Sequence, residues 1–100
     1  MGELQDGDLI RALKALADPT RFRMVQEIAS AGELSCSEVT GCFNLAQPTI
    51  SHHLKVLFEA GLLVQRAEGK HHYTSVNQDL LEAIGEVLPA RLVKRKRKRG

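Results

Sequence analysis

Apolar residues recur at helical spacing along the first third of the chain. After Asp8, a candidate N-cap, they fall three and four positions apart over residues 9–17. A second helix is predicted to begin at Pro19, which suits a first turn, after the capping residue Asp18, and Gly32 ends it. Its apolar side is expected to contain Phe22, Met24, Val25, Ile28 and Ala29.

Two further helices are predicted close together in the sequence. Ser35, followed three residues later by Glu38, has the pattern of a capping box at the start of a short third helix. Asn44 is expected to end that helix in a left-handed conformation. The fourth helix is predicted over residues 47–60, where apolar residues form one stripe. The stripe consists of Ile50, Leu54, Leu57 and Phe58.

The other side of the fourth helix is polar in its first two turns and has no acidic residue before Glu59. At about 100° per residue, His52 points almost directly away from the apolar stripe. Small side chains that donate and accept hydrogen bonds suit contacts with base edges. An amphipathic helix that is exposed but binds no ligand has the same pattern. For His53, the alternative to a DNA contact is that its side chain braces the helix against the rest of the fold. The candidate DNA contacts here are Gln47, Thr49, Ser51, His52, His53 and Lys55.

After Gly61 the period of the apolar residues changes from helical to extended. Residues 63–67 and 71–76 are predicted to form two short strands, joined by a tight turn that contains Gly69. Asn77 is the expected N-cap of a last helix, which Pro89 ends or kinks. The apolar stripe of that helix is Leu80, Leu81, Ile84, Val87 and Leu88.

The predicted order of elements is α-α-α-α-β-β-α, a mainly α fold with a small β-hairpin. The third and fourth helices, joined by a short turn at residues 43–46, form a helix-turn-helix, and the hairpin behind them is a wing. In such a unit the second helix enters the major groove, with its N-terminal residues on base edges. The wing reaches the adjacent backbone or minor groove. The candidate wing contacts are Arg66, Lys70 and His71.

A length of 100 residues corresponds to one domain, and 43% apolar with 26% charged residues is typical of soluble globular proteins. No apolar stretch approaches the ~20 residues of a membrane span, and the acidic N-terminus lacks the apolar segment of a signal peptide. Two cysteines are too few for a disulfide framework. We therefore expect a cytoplasmic protein without a membrane partner.

The net charge of +2 hides an uneven distribution. Residues 91–100 hold seven of the 14 Lys and Arg residues and no acid, so residues 1–90 carry seven basic and 12 acidic residues, a net charge of −5. We divide the chain into an N-terminal extension (1–7), a DNA-binding and dimerisation domain (8–90) and a basic tail (91–100). A run of like charges predicts disorder. The tail is either an arm that neutralises nucleic-acid phosphates or a solvated segment.

Three stretches carry a resemblance to a known family. They are residues 16–21 (Leu-Ala-Asp-Pro-Thr-Arg), 47–57 (Gln-Pro-Thr-Ile-Ser-His-His-Leu-Lys-Val-Leu) and 60–63 (Ala-Gly-Leu-Leu). Together they resemble the ArsR/SmtB family of bacterial and archaeal winged-helix repressors, and the resemblance extends over residues 8–88. Ala46 departs from the Ser often found before Gln-Pro in that family, so the fourth helix lacks a side-chain cap.

The resemblance implies a homodimer that binds a palindromic operator, with the first and last helices at the dimer interface. Burial of the same residues within one subunit is the alternative, which so small a body satisfies only in part. The implied interface residues are Leu9, Leu13, Leu16, Leu80, Leu81, Ile84 and Leu88.

The family's metal sites are not matched here. Its third-helix motif, Glu-Leu-Cys-X-Cys-Asp, corresponds to residues 33–38 (Glu-Leu-Ser-Cys-Ser-Glu), where serine hydroxyls replace both thiolates and are poor ligands for soft metals. Its second site uses Asp and His pairs on the last helix, and residues 78–88 contain no His. The pairs at residues 52–53 and 71–72 make poor chelates alone, although a site that joins them stays open. We predict no metal and no cofactor.

Cys36 and Cys42 have two interpretations. Six residues apart on one helix, they lie about 9 Å apart along its axis, beyond disulfide reach unless the helix ends or unwinds near Gly41. Cys36 shares a stripe with Val39 and Phe43, and a buried structural role is therefore the simpler interpretation. A redox switch of the two thiols is the alternative.

These observations predict a sequence-specific, DNA-binding transcriptional regulator, specifically a dimeric repressor. Double-stranded DNA and a second copy of the chain are the expected partners, and the sequence identifies no effector. A winged-helix module for protein–protein contact is the alternative function. No nucleophile–base pair, phosphate loop or spaced carboxylate pair is present, so we do not expect an enzyme.

Overall fold

The computed structural model describes residues 4–93, so residues 94–100 of the predicted tail lie outside the described part. The order of elements is the predicted winged helix-turn-helix order with one additional strand. The elements are α1 (Asp6–Leu16), α2 (Pro19–Ala31), β1 (Leu34–Ser35), α3 (Cys36–Cys42), α4 (Gln47–Glu59), β2 (Leu63–Glu68), β3 (His71–Val76) and α5 (Gln78–Leu92).

The starts of α2 and α3 follow the predicted capping chemistry. The Asp18 carboxylate accepts the backbone N–H of Arg21 at 3.0 Å at the start of α2. At the start of α3, Ser35 Oγ accepts the N–H of Glu38 at 3.2 Å, and the Glu38 carboxylate accepts the N–H of Ser35 at 2.8 Å. This reciprocal pair is a capping box, and it satisfies two N–H groups that a helix end leaves unpaired.

Helix α1 begins earlier than predicted. Its first residue is Asp6 and its N-cap is Gln5, whose side chain makes no capping hydrogen bond. Asp8 therefore lies inside the helix, and the predicted extension over residues 1–7 overlaps the first turn. Two carboxylates in that turn, Asp6 and Asp8, explain the earlier start because negative charge stabilises a helix N-terminus.

The end of α3 also differs from the prediction. Asn44 is not left-handed, since positive φ angles within residues 4–93 occur at glycines only. The helix ends at Cys42, and Phe43 follows with an extended φ of −128°. An extended residue directs the chain straight toward α4, so the connection needs no left-handed turn.

Helix α5 continues through Pro89 to Leu92, so the proline does not end it, which was one of the two outcomes we expected. Residues 91–92, assigned to the tail from the sequence, are therefore helical. The contacts of Arg91 account for this extension: its guanidinium donates to the Asp6 carboxylate and to the Leu4 carbonyl. These bonds fix the last turn of α5 beside the start of α1.

The three strands form one antiparallel sheet in the order β1-β3-β2. Glu68 pairs with His71, so the wing has a two-residue turn, and Gly69 within it has a φ of +62°. Strand β1 pairs Leu34 with Thr74. A two-residue strand is too short to show alternation of apolar and polar positions, which is why the sequence did not predict it.

The core joins all five helices to the base of the wing. Phe22 is an exception to the predicted stripe of α2, since half of its surface is exposed, and Ala29 is exposed as well. At about 100° per residue, Phe22 lies about 120° around the helix from the fully buried Ile28. The buried apolar residues are Leu9, Ala12, Ala15, Met24, Val25, Ile28, Val39, Ile50, Leu54, Leu57, Ala60, Leu62, Leu63 and Ile84.

Within residues 4–93, none of the helices combines the length and the apolar character that crossing a bilayer requires.

Candidate nucleic-acid interface

Helix α4 buries one side and leaves the other polar and exposed. The buried side holds Ile50, Leu54 and Leu57, which pack into the core, while Phe58 is half-buried. This is the stripe predicted from the sequence, and it fixes which residues face outward. The exposed residues of the first turns include Gln47, Thr49, Ser51, His52 and Lys55.

The start of α4 has no side-chain cap, as expected for Ala46. The carbonyl of Ala46 accepts the N–H groups of Thr49 and Ile50 at 3.0 and 3.1 Å, and Pro48 occupies the first turn. Proline has no N–H to leave unpaired there. The first turn therefore forms without a capping side chain, and its polar residues stay accessible to a ligand.

His53 is turned toward the body of the protein. It is half-buried, and its Nδ1 lies 3.3 Å from Nη1 of Arg21 on α2. This is the contact that the bracing alternative requires. We therefore remove His53 from the set of candidate base contacts, because its ring is engaged within the protomer.

Arg66 on β2 is held by other residues of the protein. Its guanidinium donates to Glu33 Oε1 at 2.6 Å and to Glu68 Oε1 at 2.8 Å, and its carbon Cζ lies 4.8 Å from the centroid of the Tyr73 ring. The Arg66 hydrogen bond holds the pKa of Glu33 below its ordinary value, and the Glu33 and Glu68 carboxylates raise the pKa of Arg66 further. The two carboxylates occupy the N–H donors of the guanidinium and neutralise its positive charge, which weakens its attraction to phosphate. The structure therefore does not favour the predicted DNA contact of Arg66.

Only one of the two carboxylate partners of Arg66 could have been predicted from the sequence. Residues two apart on a strand share a face, so the pairing with Glu68 was open to sequence reasoning. Glu33, by contrast, precedes β1 and comes next to Arg66 only because β1 joins the sheet. The pairing of Arg66 with Glu33 thus depends on strand β1, which the sequence pattern did not predict.

The wing tip keeps two of its predicted contacts exposed. Lys70 occupies the turn between β2 and β3, and His71 is the first residue of β3. The rings of His71 and Tyr73 lie 6.3 Å apart between centroids, on the outer face of the sheet. Lys70 therefore carries the basic charge at the tip of the wing.

The predicted dimer residues fall into two groups within one protomer. Leu9 and Ile84 are buried in its own core. The remaining residues are half-buried and pack against that core: Leu13, Leu16, Leu80, Leu81 and Leu88.

Three further apolar residues of these two elements are more exposed and were not predicted. Ile10 on α1 is 50% exposed, and Leu92 and Val93 at the end of α5 are 74% and 67% exposed. Leu92 and Val93 were missed because Pro89 was expected to end the helix.

Both cysteines are exposed with free thiols, so the buried role that we inferred for Cys36 is wrong. The reason is that α3, only seven residues long, buries Val39 alone. Cys36 and Cys42 are the first and last residues of this continuous helix, about 9 Å apart along its axis. A disulfide between them requires α3 to unwind. Among residues 4–93, no three His, Cys, Asp or Glu side chains cluster closely enough to share a metal ion.

Comparison with known proteins agrees with this architecture. A family model described as a helix-turn-helix domain matches residues 16–66. The arsenical resistance operon repressor of Staphylococcus xylosus is 35% identical over 81 residues, which cover 81% of this chain and 77% of the relative. The chain belongs to the ArsR family of transcriptional regulators.

Solved structures place the ArsR-family chain in the winged helix-turn-helix fold. A crystal structure of a possible transcriptional regulator for arsenical resistance has a TM-score of 0.70 and 30% identity, covering 84% of this chain and 86% of that one. A possible ArsR-family regulator from Mycobacterium bovis, solved by NMR as a homodimeric winged helix-turn-helix DNA-binding domain, has a TM-score of 0.69. The match covers all of both chains at 21% sequence identity, a level that supports the shared fold alone.

Proposed function

We propose that this ArsR-family chain is a homodimeric repressor that binds a palindromic operator, with α4 of each protomer in the major groove. The observation that carries the proposal is the exposed polar face of α4. It has no acidic residue before Glu59, in a body whose net charge is negative. Helix–groove contacts of this kind are the basis of operator recognition by helix-turn-helix proteins.

Base contacts are assigned to the residues that α4 leaves exposed. Ser51 and His52 lie in its second turn, with hydroxyl and imidazole groups that both donate and accept hydrogen bonds. Thr49 and Gln47 precede them in the first turn. Lys55 and Lys70 contact phosphates, which fixes the position of the protein on the duplex without reading sequence.

Dimerisation is assigned to α1 and α5. The end of α5 lies beside the start of α1 through Arg91, so the exposed Ile10, Leu92 and Val93 belong to neighbouring elements. Burying these apolar surfaces in a second copy removes them from water, the main driving force of association. A dimer then presents two α4 helices, which must lie about 34–36 Å apart to enter successive major grooves.

The proposed DNA-binding function is cytoplasmic and involves no catalytic step, and no effector is identified. The relatives named for arsenical resistance do not extend that role to this chain, because both thiolate positions of the family's third-helix site carry Ser here, Ser35 and Ser37.

Fluorescence anisotropy tests the proposal with a duplex from the region upstream of the protein's own gene and a shuffled duplex of equal length. We expect the first to bind at least about 10³-fold tighter at physiological salt, the lower end for specific recognition. Light scattering should give twice the protomer mass of 11.0 kDa. Equal affinity for both duplexes, or a monomer at micromolar concentration, contradicts the proposal.

A further inference from the structure

The side chain of Arg21 connects three helices. Its Nε donates to the carbonyl of Ala15 in the last turn of α1 at 2.8 Å. Its Nη1 lies 3.3 Å from Nδ1 of His53 in α4. Its own backbone N–H is held by the Asp18 carboxylate, which caps α2. Arg21 thus links a proposed dimerisation helix to the proposed recognition helix.

The chemistry of this contact assigns a role to each atom. A guanidinium has donors and no acceptor, so Nδ1 of His53 must accept the hydrogen bond. The proton of the neutral ring then lies on Nε2. The imidazolium form places an N–H against the Arg21 N–H and two cations side by side. Asp18, the N-cap of α2, and His52 of α4 also lie near the His53 ring.

His53 adjoins the residues that face outward. The ring centroids of His52 and His53 lie 5.9 Å apart, and Leu54, the next residue, is buried in the core. The buried stripe sets the overall rotation of α4, and a side chain fixed at His53 adds a polar restraint at the turn where Ser51 and His52 are exposed. Shifts of about 1 Å are enough to break hydrogen bonds to base edges, because N–H···O distances are typically about 2.7–3.2 Å.

We propose that Arg21 is a positioning residue for DNA recognition, which holds α4 against the junction of α1 and α2 through a hydrogen bond accepted by Nδ1 of His53. Arg21 itself contacts no base in this scheme. The inference rests on the proposed DNA-binding function and adds to it the residue that fixes the orientation of the recognition helix.

The hydrogen bond is tested without DNA by long-range ¹⁵N–¹H NMR correlation of the imidazole rings above neutral pH. We expect His53 as the Nε2–H tautomer in the wild type and a shift toward a tautomer mixture in Arg21→Ala. His52, which is exposed, serves as the internal control and should not change. An Nδ1–H tautomer in the wild type, or a His53 signal unaffected by Arg21→Ala, overturns the link.

The positioning role is tested by the affinity ratio between the upstream and shuffled duplexes. Arg21→Ala should lower this ratio about fivefold or more, the discrimination of one base contact, while binding to the shuffled duplex changes less than about twofold. His53→Asn should retain the ratio, because Asn Oδ1, bonded to Cγ as Nδ1 is in histidine, can accept from Arg21 in its place. Circular dichroism and thermal unfolding of each variant separate mispositioning from loss of fold.

Arg11→Ala is the matched control, since Arg11 is an exposed arginine on α1 whose ion pair with Asp8 spans 3.8 Å. It removes the same charge and should leave the ratio unchanged. Equal losses on both duplexes in Arg21→Ala make Arg21 a phosphate contact, and an unchanged ratio makes it dispensable. Either result overturns the inference. A wild type without any preference between duplexes instead overturns the proposed function.

Discussion

The basic residues of this protein have different environments. Arg21 and Arg66 are engaged by neighbouring residues, whereas the wing turn leaves Lys70 exposed. Charge alone is therefore a poor guide to phosphate contacts. What decides is whether a carboxylate or carbonyl within the protein already accepts the donors of the basic group.

Substitution of the two basic wing residues tests this distinction. Each phosphate contact contributes about 0.9 to the slope of log affinity against log salt concentration. In the proposed dimer, Lys70→Ala removes two such contacts and should therefore reduce the slope by about 1.8. Arg66→Ala should leave the slope unchanged and lower the melting temperature, because it removes the partner of Glu33 and Glu68. A slope reduced equally by both substitutions makes Arg66 a phosphate contact after all.

Ser51 and His52 are the proposed base contacts. Loss of a base contact lowers the ratio of affinities for operator and shuffled DNA, whereas loss of a phosphate contact weakens binding to both. We expect Ser51→Ala or His52→Ala to reduce discrimination between operator and shuffled DNA by about 1–3 kcal/mol per half-site, the range for a good base contact. Lys55→Ala, the control on the same helix, should weaken binding to both duplexes alike. Competition titrations measure the ratio, and equal losses on both DNAs for His52→Ala contradict base reading.

At the residue scale, the sequence predicted the exposed face of α4 correctly because a 3.6-residue period and a buried stripe determine it. It left a base contact and bracing against the fold both open for His53, and it did not predict the pairing of Arg66. The positions of these two side chains depend on partners far away in the chain, Arg21 and Glu33. The exposure of Cys36 was missed because a seven-residue helix has too few buried positions for its stripe to be reliable.

The start of a helix was predicted best where a side chain forms an N-cap. Asp18, Ser35 and Asn77 each accept a backbone N–H in the first turn of the helix that they cap. Strand β1 and the last turn of α5, which depend on tertiary contacts, were not predicted. Strand β1 exists because it pairs with β3, and α5 passes Pro89 where Arg91 bonds to the start of α1.

The cap of α2 predicts a dependence of stability on pH. The Arg21 N–H lowers the pKa of Asp18. A carboxyl with a lowered native pKa stabilises the fold above its unfolded pKa of about 3.9. That contribution is lost as pH falls through the native value. Asp18→Asn keeps a capping oxygen but does not titrate, so its stability should fall less below pH 4 than that of the wild type.

Urea unfolding between pH 2 and 6 measures this difference. Glu33→Gln is the second comparison, because the pKa of Glu33 is also lowered, by its hydrogen bond to Arg66. Each substitution should remove part of the acid sensitivity. If Asp18→Asn and the wild type lose stability in parallel below pH 4, the cap is not the source.

At the scale of the whole molecule, the charge distribution complements the proposed interface. Residues 94–100, which lie outside the described part, hold six Lys and Arg residues, while the body is acidic. Their deletion should weaken binding to every duplex and flatten the salt dependence, because phosphate neutralisation releases counterions irrespective of sequence. Anisotropy titrations at several salt concentrations measure both effects. An unchanged slope makes the tail a solvated segment without a role in DNA binding.

In the proposed complex, two copies of α4 in one dimer read two half-sites on the same face of DNA. Once footprinting has located the operator, a variant with five extra base pairs at its centre rotates one half-site by half a turn of about 10.5 base pairs. Anisotropy should then show a fall in affinity to the level of shuffled DNA, with the half-sites themselves intact. Affinity retained within about threefold contradicts a rigid dimer and the account of recognition built on it.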